Sequence, residues 1–349
     1  MSTENSPSLR NRLLSGMVIP AMPLALNPDR TWSQIHQRAL IRYYLESGAG
    51  GLAVGVHTTQ FEIRAPEHDL FEGVLEFSAA TVAMEGARPG NAPFTLIAGV
   101  CGETTQACRE AELARTLGYE AALLSLSGLR GASDDALLEH CQTIAKILPV
   151  IGFYLQPTIG GRTYGYRFWR QFSEIENVVA IKIAPFNRYA TLEVVRAVAA
   201  SGRTDIALYT GNDDNIIHDL ITPFLFGDRS LRIAGGLLGQ WAVGTQRAVT
   251  LLDSIQRDDA SATEWAKRNA QLTDFNSAIF DAANQFAGCI AGINEMLRRE
   301  GLLPSATCLD AAEVLSSGQS EELDRVSAAY PEWQDREFIQ KNLERWLKD

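Results

Sequence analysis

A lysine and a tyrosine 28 residues apart are the side chains in this sequence best suited to chemistry. Lys182 lies within Val178–Ile183, a run that is otherwise apolar and uncharged. Burial in such a strand favours the neutral amine, which is the form that attacks a carbonyl carbon to give a Schiff base. Tyr154 ends an earlier apolar run, where a phenol can move protons during that reaction. The alternatives are a lysine that extends to the rim or pairs with an acid, and a tyrosine that is only packed.

Eight short apolar or β-branched runs predict the strands that must position these two residues. The runs are Met17–Met22, Gly51–Val56, Thr95–Val100, Ala121–Ser125, Val150–Tyr154, Val178–Ile183, Ile206–Tyr209 and Leu231–Ala234. Helical patterning separates most of them, for example at Thr31–Glu46, Glu67–Met84, Thr105–Leu117 and Ser133–Ile147. Strands that are apolar at every position and alternate with helices are typical of a covered parallel sheet. The pattern predicts an α/β fold, a (β/α)8 TIM barrel, with a doubly wound open sheet as the alternative.

The barrel should occupy residues 1–258, with a short polar N-terminal segment, and a C-terminal helical extension should occupy residues 259–349. The alternation of side chains in a strand places Lys182 on the same face as Ala180 and Ala184, with the large isoleucines on the other face. That puts the lysine inside the barrel near the carboxyl ends of the strands, where barrel enzymes carry their chemistry. Two adjacent parallel strands should bring Tyr154 beside it.

Composition excludes several other classes of function. Acidic residues outnumber basic ones by 42 to 31, which gives a net charge of −11 and no basic run for nucleic acid or anionic membranes. Neither a signal sequence nor an apolar stretch of about 20 residues is present, so we expect a cytoplasmic protein. The five cysteines and five histidines show no metal-ligand spacing, which predicts buried thiols and no metal site.

The spacing of the two candidate residues resembles the dihydrodipicolinate synthase and N-acetylneuraminate lyase family of class I aldolases. The resemblance rests on Tyr-x-x-Pro-x-x-x-Gly at 154–161 and Ile-Lys-x-Ala-x-x-Asn at 181–187. Supporting segments are Ala98–Val100, the turn Gly211–Asp214 and the glycines from Gly235, and the resemblance extends from about residue 16 to 301. It implies that Lys182 forms an imine with a 2-oxo acid, usually pyruvate, and that Tyr154 transfers protons. It also implies that no organic cofactor is needed and that the protein is a homo-oligomer, a tetramer or a dimer.

The same resemblance indicates which residues hold the carboxylate of the 2-oxo acid. In the family a pair of threonines after strand two has this role, and the counterpart here is the segment around Thr58 and Thr59. A shift of one residue would substitute His57 and Thr58. Hydroxyl groups and backbone N–H groups at the start of a helix suit a carboxylate. Gly235, expected just after strand eight, is a further candidate contact.

Other positions depart from the family and leave the reaction open. A tyrosine pair after strand four is replaced by Ser125–Leu129, and the arginine that meets the carboxylate of the second substrate is replaced by Ile159. Arg162 lies nearby and is a candidate substitute. The sequence thus predicts a Schiff-base lyase, aldolase or synthase, acting on a 2-oxo acid and, where a bond is made, an aldehyde. The alternatives are a dehydratase or hydratase-aldolase on a sugar-acid or aromatic 2-oxo acid, and a non-catalytic 2-oxo-acid-binding barrel.

Overall fold

Eight parallel strands alternate with helices in the computed structural model, which describes residues 8–85, 93–157 and 160–348. The strands are β1 (Val18–Pro20), β2 (Gly51–Val54), β3 (Thr95–Val100), β4 (Ala121–Leu124), β5 (Val150–Leu155), β6 (Val178–Ala184), β7 (Ala207–Thr210) and β10 (Gly235–Leu238). Their order in the sheet is β1-β10-β7-β6-β5-β4-β3-β2. This arrangement confirms the (β/α)8 TIM barrel and not the doubly wound alternative.

The helices follow the predicted pattern with small shifts at their ends. They are α1 (Leu9–Leu14), α2 (Gln34–Glu46), α3 (Phe71–Glu85), α4 (Thr104–Thr116), α5 (Asp134–Ala145), α6 (Tyr166–Phe172), α7 (Arg188–Ser201), α8 (Ile216–Ile221), α9 (Thr245–Arg257), α10 (Ala262–Ile279), α11 (Cys289–Arg299), α12 (Gln319–Ala329) and α13 (Arg336–Trp346). C-terminal helices after the last strand are therefore present, as predicted. Across the described residues, no helix combines the length and the apolar character needed to cross a membrane.

The chain forms two compact units. The first contains the described part of Met1–Met17 together with Thr95–Leu237, and so includes strands β3 to β7. The second contains Val18–Phe94 and Leu238–Asp349, and so includes β1, β2 and the helices from α9 onward. The predicted division near residue 258 stays a prediction.

Strands β3 to β7 form the core of the first unit, and every one of their residues is buried. Buried apolar side chains on both faces explain why these runs are apolar at every position and do not alternate with polar residues. Between β5 and β6 the register shifts by one residue. Val150 is paired with Val178, whereas Ile151 is paired with Ala180, so Val179 has no partner across the ladder.

The region around the eighth strand differs from the prediction. Residues Phe224–Phe226 (β8) and Arg229–Leu231 (β9) form an antiparallel hairpin, and the eighth barrel strand is Gly235–Leu238. The predicted strand at Leu231–Ala234 was therefore wrong. The strand begins at a glycine because another part of the backbone lies very close to it. A Cβ atom on Gly235 would lie 2.5 Å from the carbonyl oxygen of Met17.

The helical extension expected from residue 259 begins with two helices, α10 and α11, separated by a break. The break contains three residues with left-handed backbone conformation, Asp281, Gln285 and Phe286. The Asp281 carboxylate accepts hydrogen bonds from the backbone N–H of Gly288 and from the Asn284 amide. The bond to Gly288 satisfies a backbone N–H that a continuous helix would have paired internally.

Candidate active site

Lys182 lies in the middle of β6 in the first unit, and it is 8% exposed. Its Cα is in register with Phe153 of β5 and with Tyr209 of β7. The ammonium nitrogen lies 4.5 Å from the centre of the Phe153 ring. The alternation predicted from the sequence thus places the lysine in a buried setting between two aromatic residues of the neighbouring strands.

A glycine makes room for the lysine side chain. A Cβ atom on Gly211, directly after β7, would lie 2.6 Å from Cε of Lys182 and 2.8 Å from Cβ of Ala184. Real Cβ atoms do not approach other carbon atoms so closely, and Cβ of Ala184 is fixed by its backbone and cannot rotate away. Gly211 is therefore required by the path of the lysine side chain.

Burial changes the ionisation of Lys182. Loss of hydration lowers the pKa of its amine from 10.5 to about 8, although the negative charge of Asp213 acts in the other direction and raises this pKa. Asp213 is itself buried, in the turn that follows β7. A lysine with this pKa is partly neutral near physiological pH, which is the state that a nucleophilic amine requires.

Tyr154 does not lie beside Lys182 as expected. Its Cα is in register with Ile183, and its ring centre lies 5.2 Å from that of Trp169 on α6. The residue that shares its face of the strand, Gly152, also faces α6, because a Cβ there would meet Phe172. The one-residue register shift explains the difference, since the initial pairing would have matched Tyr154 with Lys182.

The contacts of Tyr154 are those of a packed residue with one hydrogen bond. Its hydroxyl oxygen accepts from the backbone N–H of Tyr164, at 3.3 Å. Burial raises the pKa of the Tyr154 phenol, so the hydroxyl stays protonated. This hydrogen bond holds the segment around Tyr164 against the end of β5.

A polar network, buried except for the partly exposed Arg188, joins the ends of β6 and β7, and we call it the turn network. Its members are Arg188, Thr191, Thr210, Asn212 and Asp219. The Asp219 carboxylate accepts hydrogen bonds from Thr210 at 2.6 Å and from the Asn212 amide at 2.9 Å, and it pairs with Arg188. The Asn212 amide also donates to Thr191, at 3.3 Å. Sequence reasoning missed this network, although an aspartate inside the apolar run Ile216–Ile221 was a signal for it.

The turn network reaches the segment that follows the lysine. The side-chain oxygen Oδ1 of Asn212 accepts from the backbone N–H of Phe186, at 2.9 Å. Phe186 has φ of 50°, a left-handed conformation that non-glycine residues rarely adopt. The hydrogen bond from Asn212 helps to hold this strained residue four positions after Lys182.

The predicted carboxylate-binding residues lie in the second unit, in a short 3₁₀ helix at His57–Thr59. The Thr59 hydroxyl donates to the carbonyl of Met22, at 2.7 Å, and accepts from the backbone N–H of Gly55, at 3.0 Å. Thr59 is therefore engaged in holding its own turn. The hydroxyl of Thr58 lies 3.5 Å from the same Met22 oxygen, and the His57 ring lies 6.0 Å from that of Phe61.

The remaining candidates are placed as follows. Gly235 begins β10, where the sequence predicted a loop after the strand, and its Cα is in register with Tyr209. Arg162 donates to the carbonyl of Ala132 and pairs with Asp134. Ile159 lies outside the described residues. Within the three described stretches of chain, no cluster of three or more metal-binding side chains occurs.

The (β/α)8 sheet defines the class of this protein, a TIM-barrel protein, and its sixth strand carries a buried lysine of lowered pKa. The chain belongs to the dihydrodipicolinate synthetase family, whose model matches residues 14–326. Family membership is thus shown by a match over most of the chain.

Curated relatives and solved structures agree with this membership. A 4-hydroxy-tetrahydrodipicolinate synthase of Synechocystis sp. is 28% identical over 57% of this chain, which spans 62% of that relative. One from Bifidobacterium longum is 25% identical over 85% of this chain and 92% of its own. A prophage protein of the dihydrodipicolinic acid synthase family from E. coli K12, solved in complex with pyruvate, has a TM-score of 0.73 at 16% identity. That alignment covers 91% of this chain and 99% of the other, and it shows the shared fold.

Proposed function

We propose that this protein is a Schiff-base-forming lyase, of aldolase or synthase type, that binds pyruvate or another 2-oxo acid through Lys182. The observation that carries the proposal is the burial of Lys182 with a pKa of about 8. Family membership and a pyruvate-bound structural relative support it. No metal or organic cofactor is needed for this chemistry.

The proposed reaction begins with the neutral amine of Lys182, which attacks C2 of the 2-oxo acid. The carbinolamine that forms loses water and becomes a protonated imine. The imine accepts electron density from C3 when a proton leaves that carbon, and the resulting enamine forms a bond to an aldehyde carbon, whose oxygen takes up a proton. Water then hydrolyses the product imine and frees Lys182. In the lyase direction the same electrons move in reverse, and the C3–C4 bond of the substrate breaks.

Proton transfer by Tyr154 is implied by the resemblance and remains a prediction. The contacts of Tyr154 in this structure are with α6 and Tyr164, so the proposed mechanism depends on Lys182 alone for its covalent step. For the carboxylate we propose the His57–Thr59 turn, with Thr58 and backbone N–H groups as the principal contacts, because the Thr59 hydroxyl is occupied. A carboxylate contact with Gly235, which lies against the backbone of Met17, stays a prediction.

The second substrate is the open part of the proposal. Arg162, the candidate substitute for the missing arginine, is held by Asp134 and Ala132. The strand-four loop offers the paired hydroxyls of Ser125 and Ser127, 3.0 Å apart, in place of two tyrosines. These observations favour, as a second candidate, a dehydratase or hydratase-aldolase on a sugar-acid or aromatic 2-oxo acid. A dimeric or tetrameric assembly and a cytoplasmic location remain predictions.

Reductive trapping tests the proposal. The protein is incubated with pyruvate and sodium cyanoborohydride, and its intact mass is followed over time. We expect an adduct of one reduced pyruvate on Lys182, located by peptide mapping. A screen of 2-oxo acids and aldehydes with this readout identifies the better substrate pair. A protein that binds a 2-oxo acid and gives no adduct with any of them is the non-catalytic barrel and contradicts the proposal.

A further inference from the structure

We propose that Asp219 is a positioning residue for the lysine chemistry, acting through Asn212. This inference rests on the proposed function of Lys182 and extends it to a residue that does not touch the substrate. Asp219 would hold, through hydrogen bonds, both the turn after β7 and the segment after β6. Its role would be to fix the surroundings of Lys182 and not to take part in the covalent step.

The burial of Asp219 is the first argument. Its side chain is fully buried within the short helix α8, among apolar neighbours. An isolated carboxylate there would be strongly destabilising, so its donors must be kept in place. These donors come from two segments, the start of α7 with Arg188 and the end of β7 with Thr210 and Asn212. The carboxylate therefore fixes the ends of β6 and β7 relative to each other.

The position of Asn212 is the second argument. Asn212 lies between Gly211, whose Cα adjoins the lysine side chain, and Asp213, whose charge acts on the lysine amine. Its two amide ends have different partners, since the nitrogen donates to Asp219 and the oxygen accepts from Phe186. Any rotation of this amide would release the Phe186 segment and move the turn that carries Asp213.

The direction of the Asn212–Asp219 hydrogen bond allows a specific test by exchange of the two residues. In the variant Asn212→Asp two carboxylates face each other, and in Asp219→Asn the carboxylate is lost. The double variant restores one amide and one carboxylate with donor and acceptor exchanged. Asp at 212 still accepts from Phe186, and Asn at 219 still accepts from Arg188 through Oδ1, while its Nδ2 replaces the oxygen that accepted from Thr210 and Asn212 and donates to the carboxylate at position 212.

The experiment measures the rate of pyruvate trapping on Lys182, its dependence on pyruvate concentration and the melting temperature of each variant. We expect each single variant to lower the maximal trapping rate about 100-fold, the effect of a displacement near 1 Å at a reacting centre. The double variant should recover to within about tenfold of the wild-type rate. If Asp219→Asn does not fold, Asn212→Ser serves instead, because it leaves Asp219 paired with Arg188 and Thr210.

Asp205→Asn is the matched control. Asp205 lies just before β7 in the same unit and pairs with Arg10 and Arg203. Its substitution should lower the melting temperature and leave the trapping rate unchanged. The inference is overturned if Asp219→Asn and Asp205→Asn have the same effect on trapping, or if the double variant shows no recovery. Absence of trapping in the wild-type protein would instead reject the proposed function.

Discussion

Two neighbouring regions of the first unit end at the same edge of the sheet and differ in chemistry. At the end of β5, Tyr154 packs in an aromatic cluster completed by Tyr164, Phe168, Trp169 and Phe172, with ring centres 4.6 to 6.0 Å apart. At the ends of β6 and β7, Lys182 is accompanied by Asp213 and the turn network. Both regions are buried, so burial alone does not identify the reactive one.

The two regions differ in the interactions that offset the cost of burying their polar groups. The Tyr154 hydroxyl is satisfied by one backbone N–H, and its aromatic neighbours stabilise the region by packing. The β6–β7 region instead keeps charged groups in place with specific donors and acceptors, which is an arrangement retained where chemistry needs defined ionisation states. The experiments below test whether this contrast separates a reactive region from a structural one.

The largest effect is expected from Lys182→Met. This change removes the nucleophile and a buried amine whose charged form is destabilised, so trapping with pyruvate should be abolished. The melting temperature should rise by roughly 1–2 °C, the shift that corresponds to about 1 kcal/mol in a chain of 349 residues. Intact-mass analysis and thermal unfolding provide the two readouts.

Lys182→Arg is the control for this substitution. It keeps a positive charge at the site and supplies no nucleophilic amine, so trapping should again be absent, without the gain in stability. Full trapping in either variant would show that another lysine forms the imine and would remove the distinction between the two regions.

Gly211→Ala should have the next largest effect. The added methyl group would lie 2.6 Å from Cε of Lys182, so the side chain must move from its present path. We expect the trapping rate to fall about 100-fold, and overpacking to cost about 1–3 kcal/mol in the free energy of unfolding. Gly131→Ala is the matched control, because no atom lies within 4 Å of a Cβ at that position. Equal rates in both variants would contradict the assigned lysine path.

Tyr154→Phe should have a smaller effect on the reaction. The change removes the acceptor for the Tyr164 N–H, which should cost about 1–3 kcal/mol in stability. We expect trapping to fall by no more than about tenfold, below the 100-fold minimum typical of a lost acid–base group. Tyr189→Phe, at a residue that is 83% exposed, is the control. A fall of two or more orders of magnitude would restore the proton-transfer role and make the β5 end reactive as well.

The strands and the candidate lysine could be predicted from the sequence because they depend on local composition. Lys182 is the only charged residue in a run of apolar ones, and alternation then determines its face of the strand. Tyr154 was predicted less well because its neighbours depend on register between two strands. Because Val179 has no partner, the pairing of the two strands shifts by one position. Tyr154 is therefore in register with Ile183 and faces the opposite side of the sheet from Lys182.

The turn network could be predicted only in part. An aspartate within Ile216–Ile221 signals a buried carboxylate, but its partners come from 7 to 31 residues away in sequence. Neither hydrophobic periodicity nor turn composition specifies such contacts, since they arise when parallel strands bring their ends together. Gly235 could not be placed from the sequence for a similar reason. Glycines usually indicate loops, but this glycine lies within a strand, where the backbone of Met17 leaves no room for a Cβ atom.

The smallest effect is expected from Asp213→Asn, and it is measured as a change in the pH dependence of imine formation. In the wild-type protein the initial trapping rate should rise with pH as the amine of Lys182 loses its proton, with a midpoint near its pKa of about 8. The charge of Asp213 raises the pKa of Lys182, so its removal should move the midpoint to lower pH. Asp214→Asn changes the adjacent carboxyl group, whose own pKa is raised chiefly by burial, and should leave the midpoint unchanged. A midpoint that stays in place or moves upward in Asp213→Asn would mean that this carboxylate does not act on the lysine. The β6–β7 region would then owe its reactivity to burial alone, as the Tyr154 phenol owes its raised pKa chiefly to burial.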